Sequence, residues 1–290
     1  MSENRKTLQH FLEQNKPVTV LTGAGLSTAS GIPDYRDSNG NWKSAPPMQH
    51  RDFMTNELLR KRYWARALHG WPVLYNAQPN ASHLALAKMQ KEGLIGTIIT
   101  QNVDGLHQRA GATDVINLHG YANEMVCMSC GAQSPRLEMH ERCLALNPEF
   151  AEMDAVALPD GDADIETDFS TFQIADCLNC SGILKPDVVY FGDTVPKTRV
   201  AEAKQALAES EGLLVIGSSL MVFSGYRFAR QAAENNQPIA ILTRGKTRAD
   251  DLATFKIDED IESVLVWNKH FLMVASKNLT SSFNNLPYED

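Results

Sequence analysis

Two Cys-x-x-Cys pairs, Cys127/Cys130 and Cys177/Cys180, constrain this chain more tightly than any other feature. A two-residue spacer lets both sulfurs of a pair point at one ion, and two pairs complete the tetrahedral thiolate shell that zinc takes at about 2.3 Å. Four unrelated buried thiols or a redox pair are the alternatives, and two identically spaced pairs favour the metal. Residues 131–176 separate the pairs, forty-six in all, more than a compact zinc ribbon uses, so an insertion is expected to grow from the metal module. A fifth cysteine, Cys143, falls inside that insertion without a partner and reads as a buried or idle thiol.

With 290 residues the chain can bury a substantial core, and it suits one large domain carrying a smaller module. Hydrophobic residues make up 43% and charged residues 21%, the balance of a soluble globular protein. No apolar run approaches the roughly 20 residues of a membrane span. The N-terminal MSENRKTLQHFLEQNKP has no apolar signal core, and its acids argue against a transit peptide, so a cytoplasmic location is expected. Thiols stay reduced there, which again favours metal over disulfide. A net charge of −8 and the lack of a basic run disfavour nucleic acid. A monomer is the default expectation.

Short apolar runs at 17–22 (PVTVLT), 96–102 (GTIITQN), 114–119 (DVINLH), 212–219 (GLLVIGSS), 238–243 (PIAILT) and 263–267 (SVLVW) read as strands buried on both faces. Helical patterns alternate with them: KTLQHFLEQ, the stretch from Asn56 to His69, HLALAKMQKE, AEAKQALAES and YRFARQAAENN. This alternation predicts an α/β fold, a Rossmann-like doubly wound parallel sheet with helices on both faces. The expected division is a discontinuous main domain, residues 1–120 and 185–290, around an inserted zinc-binding module at 121–184. The Arg-, Trp- and Pro-rich segment from Tyr35 to about Trp71 is a candidate second excursion. The acidic PDGDADIETD at 159–168 reads as a mobile surface loop.

The first strand runs into Gly23-Ala24-Gly25, which reads as a tight turn and helix start whose backbone can approach a phosphate closely. The dinucleotide fingerprint would place its third glycine at Thr28, so the loop alone is equally an ordinary glycine turn. GIPDYRD (31–37) adds the aromatic Tyr35 and the cation Arg36 beside it. His119 stands at a strand's C-terminal edge before Gly120, where an imidazole can serve as a base near neutral pH. His107 reads instead as a helix cap or packing residue, and His83 as helix surface or core.

GAGLSTASGIPDYRD, TQNVDGLHQRAG, NLHG, the paired knuckles, KPDVVYFGD and GSSLMVFSGYRF follow in the order found in sirtuins, NAD-dependent protein-lysine deacylases, and the chain resembles that family from about residue 17 to 267. GIPDYR and GSSLMVFSGYRF resemble its class II branch, shared by bacteria and mitochondria. The resemblance implies NAD and zinc as cofactors and an acyl-lysine protein as partner. It implies that Gly23, Ala24, Gly25, Tyr35 and Arg36 line the NAD loop, with Tyr35 near the nicotinamide and Arg36 toward the phosphates. Gln101, Asn102 and Asp104 would hold the nicotinamide ribose and carboxamide, and Gly217, Ser218 and Ser219 the adenosine half. His119 would be the general base, and Val188, Val189, Tyr190, Phe191 and Gly192 would pair with the substrate peptide by β-augmentation. In the family scheme the acyl oxygen attacks the anomeric carbon, a base frees a ribose hydroxyl, and nicotinamide, free lysine and O-acyl-ADP-ribose leave. One departure concerns the adenosine ribose, where the family's Asn-x-Gly is replaced by ILTRGKTR with Thr243 at the Asn position.

Two other functions use parts of the same equipment. An NAD glycohydrolase or mono-ADP-ribosyltransferase shares the first half-reaction, but needs neither a metal module nor a peptide-pairing run. An NAD or ADP-ribose sensor would not need the base. Trp42, Met48, Tyr63 and Trp64 are candidates for lining an acyl channel, with core packing as the plainer role for each.

Overall fold

The computed structural model describes residues 2–37, 39–43 and 47–266. The chain opens with α1 (Glu3–Gln14), capped by the Ser2 side chain accepting the Arg5 N–H; it buries the i, i+3, i+4 face Leu8, Phe11 and Leu12. After β1 (Val18–Thr22) come two 3₁₀ turns, Ala24–Leu26 and Thr28–Ser30. Then follow α2 (His50–Thr55), the long α3 (Glu57–Asn76), α4 (Ala81–Lys91), β2 (Ile95–Thr100), α5 (Leu106–Arg109) and β3 (Val115–Asn117). The next stretch holds β4 (Gly120–Cys127), β5 (Gln133–Pro135), α6 (Arg136–Leu146), α7 (Pro148–Ala151), the hairpin β6 (Val156–Leu158) and β7 (Asp162–Asp164), and β8 (Leu184–Val188). It is followed by α8 (Lys197–Ala208), β9 (Gly212–Ile216), α9 (Phe223–Glu234), β10 (Ile239–Leu242), β11 (Phe255–Ile257) and α10 (Ile261–Leu265).

Six parallel strands form the main sheet in the order β11-β10-β9-β1-β2-β3, so the winding direction reverses between β1 and β9. Successive side chains of a strand point to opposite faces, and β1 divides its residues accordingly. Val18 and Val20 enter one apolar cluster with α1, α4 and α10, while Leu21 enters another with α8 and α9. Each fully buried Leu or Ile in these layers contributes about 1.5–3 kcal/mol. A doubly wound sheet binds ligands outside the carboxyl ends of its strands at such a reversal.

The run at 263–267 is not a strand: residues 261–265 form α10, and Trp267 lies outside the described residues. Asp260 caps this turn by accepting the Ser263 N–H, and Val264 and Leu265 pack against the α1 and α4 layer. The sixth strand is instead β11, three residues with a lysine at its centre, too short to leave a periodic signal. The helix expected directly after Gly25 is also absent, replaced by the paired 3₁₀ turns.

A second sheet, β5-β4-β8, is antiparallel and carries the knuckles at its end, with Cys127 opposite Leu184. Two parts of the chain share its core. Phe53, Trp64, Leu68 and Trp71 of α2 and α3 pack with Met125, Met139, Phe150, Phe172 and Leu184. The acidic 159–168 stretch is not simply a mobile loop, because Ala163 is wholly buried and Asp162 pairs with Arg66 of α3. Cys143 is wholly buried, as an idle thiol should be. Among the described residues no helix is long and apolar enough to cross a membrane.

Candidate active site

A cavity of about 460 Å³ opens where β1, β2 and β9 end. Gly23, Ala24 and Gly25 line it from β1, Gln101, Asn102 and Asp104 from β2, and Gly217, Ser218 and Ser219 from β9. Tyr35, Arg36, His119, Thr243 and the run from Val188 to Gly192 complete the wall, so every expected cofactor-binding, catalytic and substrate residue is brought to this one space.

The glycines of the first loop also permit a close contact within the chain. A Cβ on Gly25 would lie 2.9 Å from the Gly217 carbonyl oxygen, and one on Gly23 would lie 2.8 Å from the Ser218 Cβ. These residues let the β1 loop close onto the β9 loop, a contact sealed by the Gly25 N–H donating to the Gly217 oxygen at 2.9 Å.

Polar side chains then lock the loop from below. Asn102 Nδ2 donates to the Gly23 oxygen and to Ser27 Oγ, and Ser27 Oγ donates to Asp104 Oδ2 at 2.7 Å. Asp104 Oδ1 accepts the Leu106 N–H, and burial raises its pKa against those hydrogen bonds. Gln101 Nε2 donates to Ser218 Oγ at 2.7 Å, tying β2 to β9 across the reversal. Ser27 was invisible to motif reading, since its partners stand more than seventy residues away in the chain.

His119 sits between β3 and β4, half-buried, with both ring nitrogens engaged. Nδ1 lies 3.0 Å from the Gln101 carbonyl oxygen and Nε2 lies 2.8 Å from Ser224 Oγ. Burial, with Arg227 and Arg199 nearby, lowers its pKa to about 4 despite the Gln101 contact, so the ring is neutral at working pH. Gly120 (φ +93°) turns the chain directly after it, and a Cβ there would meet the Asp187 oxygen at 1.9 Å. Next to the ring, the Val189 N–H donates to the His119 oxygen at 2.8 Å, and the Phe191 oxygen accepts the His50 N–H. Part of the expected peptide-pairing backbone is therefore already committed within the chain.

Tyr35, Trp42 and Phe191 form an aromatic nest with ring centroids 5.5–6.4 Å apart. The Arg36 guanidinium lies 3.9 Å over the Trp42 ring and donates to the Gly40 oxygen. Of the acyl-channel candidates, Trp42 lines the main cavity. Met48 and Tyr63 line a second cavity of about 390 Å³, which shares Tyr35 and Val188–Phe191 with the first. Trp64 is buried among Phe53 and Tyr63, a core residue.

The model of the Sir2 family matches residues 23–224. The chain belongs to the Sir2 family. It is similar to an NAD-dependent protein deacetylase 2 of Bradyrhizobium diazoefficiens, 49% identical over 90% of this chain and 96% of the relative. An NAD-dependent protein deacetylase of Bordetella bronchiseptica is 48% identical over 90% of this chain and 95% of its own length. Among solved structures, "Sir2-p53 peptide-NAD+" superposes with a TM-score of 0.73 at 28% identity, covering 97% of this chain and all of that one.

The four cysteines of this Sir2-family chain converge, their sulfurs all within 4.8 Å of one another. Cys127 and Cys180 Sγ lie 3.5 Å apart, and Cys130 and Cys177 Sγ 3.8 Å apart. A tetrahedron with zinc–sulfur bonds of about 2.3 Å has edges of about 3.8 Å, close to these two contacts, so the donor set suits zinc. Backbone N–H groups of Cys130 and Ser129 draw the Cys127 thiol down to about 6, while hydrogen bonding with Cys130 pushes Cys180 up to about 12. Zinc binds such sulfurs in their thiolate form. With sulfur at all four positions, such a shell would leave no place for a bound water.

Proposed function

We propose that this chain is an NAD-dependent protein-lysine deacylase whose general base is His119. The observation that carries the reading is the meeting, in one cavity, of a neutral His119, the interlocked 23–25 and 217–219 loops, and the 188–192 run. Curated relatives of high identity are named NAD-dependent protein deacetylases, and a structural neighbour holds a peptide and NAD together.

When bound, NAD supplies a labile bond between nicotinamide and ribose, and a ribose that accepts the acyl group. The chain's own residues perform four tasks. The 23–25 and 217–219 loops hold the dinucleotide at the sheet reversal, with Thr243 at the adenosine end in place of the family asparagine. Gln101, Asn102 and Asp104 would hold the ribose and carboxamide, and their internal hydrogen bonds fix them so that little reorganisation would accompany reaction. The Tyr35–Trp42–Phe191 nest would shield the reacting carbon from water, and Arg36, held over Trp42, would serve the phosphates. His119 would take a proton from a ribose hydroxyl at Nε2. Cys127, Cys130, Cys177 and Cys180 hold the zinc that fixes the end of the β4–β8 ribbon, whose other end supplies the 188–192 run.

In this reading residues 121–184 are the zinc module, inserted between the 1–120 and 185–290 parts of the NAD-binding domain. The protein works as a cytoplasmic monomer on acyl-lysine proteins, without nucleic acid. The acyl group is acetyl or a longer chain, which the second cavity beside Tyr35 and Val188–Phe191 would accommodate.

The test is mass spectrometry of acetyl-, succinyl-, lipoyl- and long-chain acyl-lysine peptides incubated with NAD, for the wild type and His119→Ala. Loss of one acyl mass with O-acyl-ADP-ribose formed, absent in the variant, is the expected result. Free ADP-ribose with every peptide intact points to NAD cleavage or ADP-ribosyl transfer. Silence on both returns the sensor.

A further inference from the structure

We propose that Ser224 is a positioning residue for His119, holding the imidazole with Nε2 as its basic nitrogen and receiving the proton-bearing Nε2 once the base has acted. The inference rests on the deacylase reading for its chemistry, but its geometry stands apart from it.

A carbonyl oxygen only accepts, so the 3.0 Å contact between His119 Nδ1 and the Gln101 oxygen puts the ring proton on Nδ1. In the neutral ring Nε2 then carries the lone pair, and its 2.8 Å partner, Ser224 Oγ, is the donor. The ring is thus clamped from two elements on opposite sides of the sheet reversal, the end of β2 and the first turn of α9. Without the second clamp the imidazole keeps one hydrogen bond and can swing about it within an open cavity. Ser224 and His119 both line that cavity, so the pair stands at the wall of the space a substrate hydroxyl would enter.

The proton balance gives the serine a second task. When a ribose O–H meets Nε2, the O–H bond breaks, its electron pair stays on the attacking oxygen, and the proton bonds to Nε2. The ring is now a cation with two donors. Nδ1–H still has the Gln101 oxygen, and Nε2–H needs an acceptor. The charged groups facing the ring are unhelpful: Arg227 of α9, and Arg199 of α8, whose guanidinium is paired with Asp187 at 2.9 Å. A serine hydroxyl is donor and acceptor in turn, so rotation about its C–O bond lets it support the neutral ring before the transfer and the cation after it. Burial and the two arginines, which hold the His119 pKa near 4, make that acceptor matter more.

The experiment separates the base step from what precedes it. Nicotinamide exchange reports formation of the first intermediate without His119 acting as base, whereas deacylation needs the base. For Ser224→Ala the expected result is exchange within about twofold of wild type and a deacylation kcat lowered about 10- to 100-fold, with KM for peptide unchanged and Ser224→Thr restoring activity. Parallel loss of exchange and deacylation, or no loss of deacylation, overturns the proposal. A readout free of turnover is the ¹⁵N spectrum of the histidine rings. Wild-type His119 should show the Nδ1–H tautomer with a hydrogen-bonded Nε2, and in Ser224→Ala the Nε2 resonance should move toward that of an imine nitrogen without a donor. A wild-type Nε2–H tautomer overturns the inference even if the alanine variant does not fold. A wild type that never deacylates sinks the functional reading and leaves the ¹⁵N result to decide the contact.

Discussion

Arg66 grips Asp162 with two parallel hydrogen bonds, Nε to Oδ1 at 2.8 Å and Nη2 to Oδ2 at 3.0 Å, across ninety-six positions of chain. The pair ties α3 to the β6–β7 hairpin and fixes the insertion onto the helix that flanks the second cavity. Arg66 is 8% exposed, so removing its carboxylate strands a nearly buried cation, while solvent at Asp162 softens the loss. Asp162→Ala should lower stability by about 1–3 kcal/mol, read as a shift of the urea midpoint, and should speed proteolysis between residues 150 and 170. Midpoints and cleavage rates equal to wild type would mean the pair is incidental.

The sulfur cluster supports a second prediction. Because all four positions are thiolates, chelation or Cys127→Ser should unfold the knuckle end of the β4–β8 ribbon before it affects any chemical step. One zinc per chain by elemental analysis, and a melting temperature that falls on treatment with a strong chelator, are the expected outcomes. A Cys127→Ser protein that keeps full zinc and stability but loses activity would contradict a structural role.

What motif reading captured and what it missed divide along chain separation. The cysteine pairs, the Gly23–Gly25 loop and His119 announce themselves within a few residues, because their chemistry depends on local spacing. Ser27, Ser224 and Asp162 make their side-chain contacts to Asp104, His119 and Arg66 across more than seventy positions, which folding alone brings near. The main sheet has six strands, as the six apolar runs predict, but one of those runs is not among them. SVLVW has the composition of a strand, but the Asp260 cap and the need to cover the α1 and α4 layer made its first three residues the end of a helix. The acidic 159–168 stretch misled in the opposite sense, since charge suggested solvent while Ala163 and the Arg66 partner took it inward.

His83 and His107 predict an acid limit to stability. Both are wholly or nearly buried, their rings 5.0 Å apart, with His83 Nδ1 accepting the Asn80 N–H and His107 Nε2 beside Thr22 Oγ1. Burial lowers the His83 pKa from 6.5 to about 4, and burial with His83 nearby takes His107 well below its usual range. The unfolded chain therefore binds protons first. Their contribution is fully present above about pH 6.5 and is lost progressively as pH falls toward 4, at about 1.4 kcal/mol per unit of pKa difference. Urea midpoints should fall between pH 7.5 and pH 5, and His83→Gln should flatten that dependence. A midpoint independent of pH over the range would refute the buried neutral pair.

Gly25 offers a test of why the loop is glycine at all. If its purpose were only to let a phosphate approach, Gly25→Ala would leave the free protein as stable as before and weaken dinucleotide binding alone. The geometry says otherwise, since the added Cβ would stand 2.9 Å from the Gly217 oxygen and 3.0 Å from its Cα, both backbone atoms that cannot swing aside. The two loops must then part, straining the Gly25 N–H bond to Gly217 and the Gln101–Ser218 bridge beside it. Overpacking of this kind costs about 1–3 kcal/mol. The expected outcome is a lower melting temperature in the absence of any nucleotide, together with weaker ADP-ribose binding by calorimetry. Loss of binding without loss of stability would restore the phosphate-approach explanation, because only a contact made by the ligand itself would then have been disturbed.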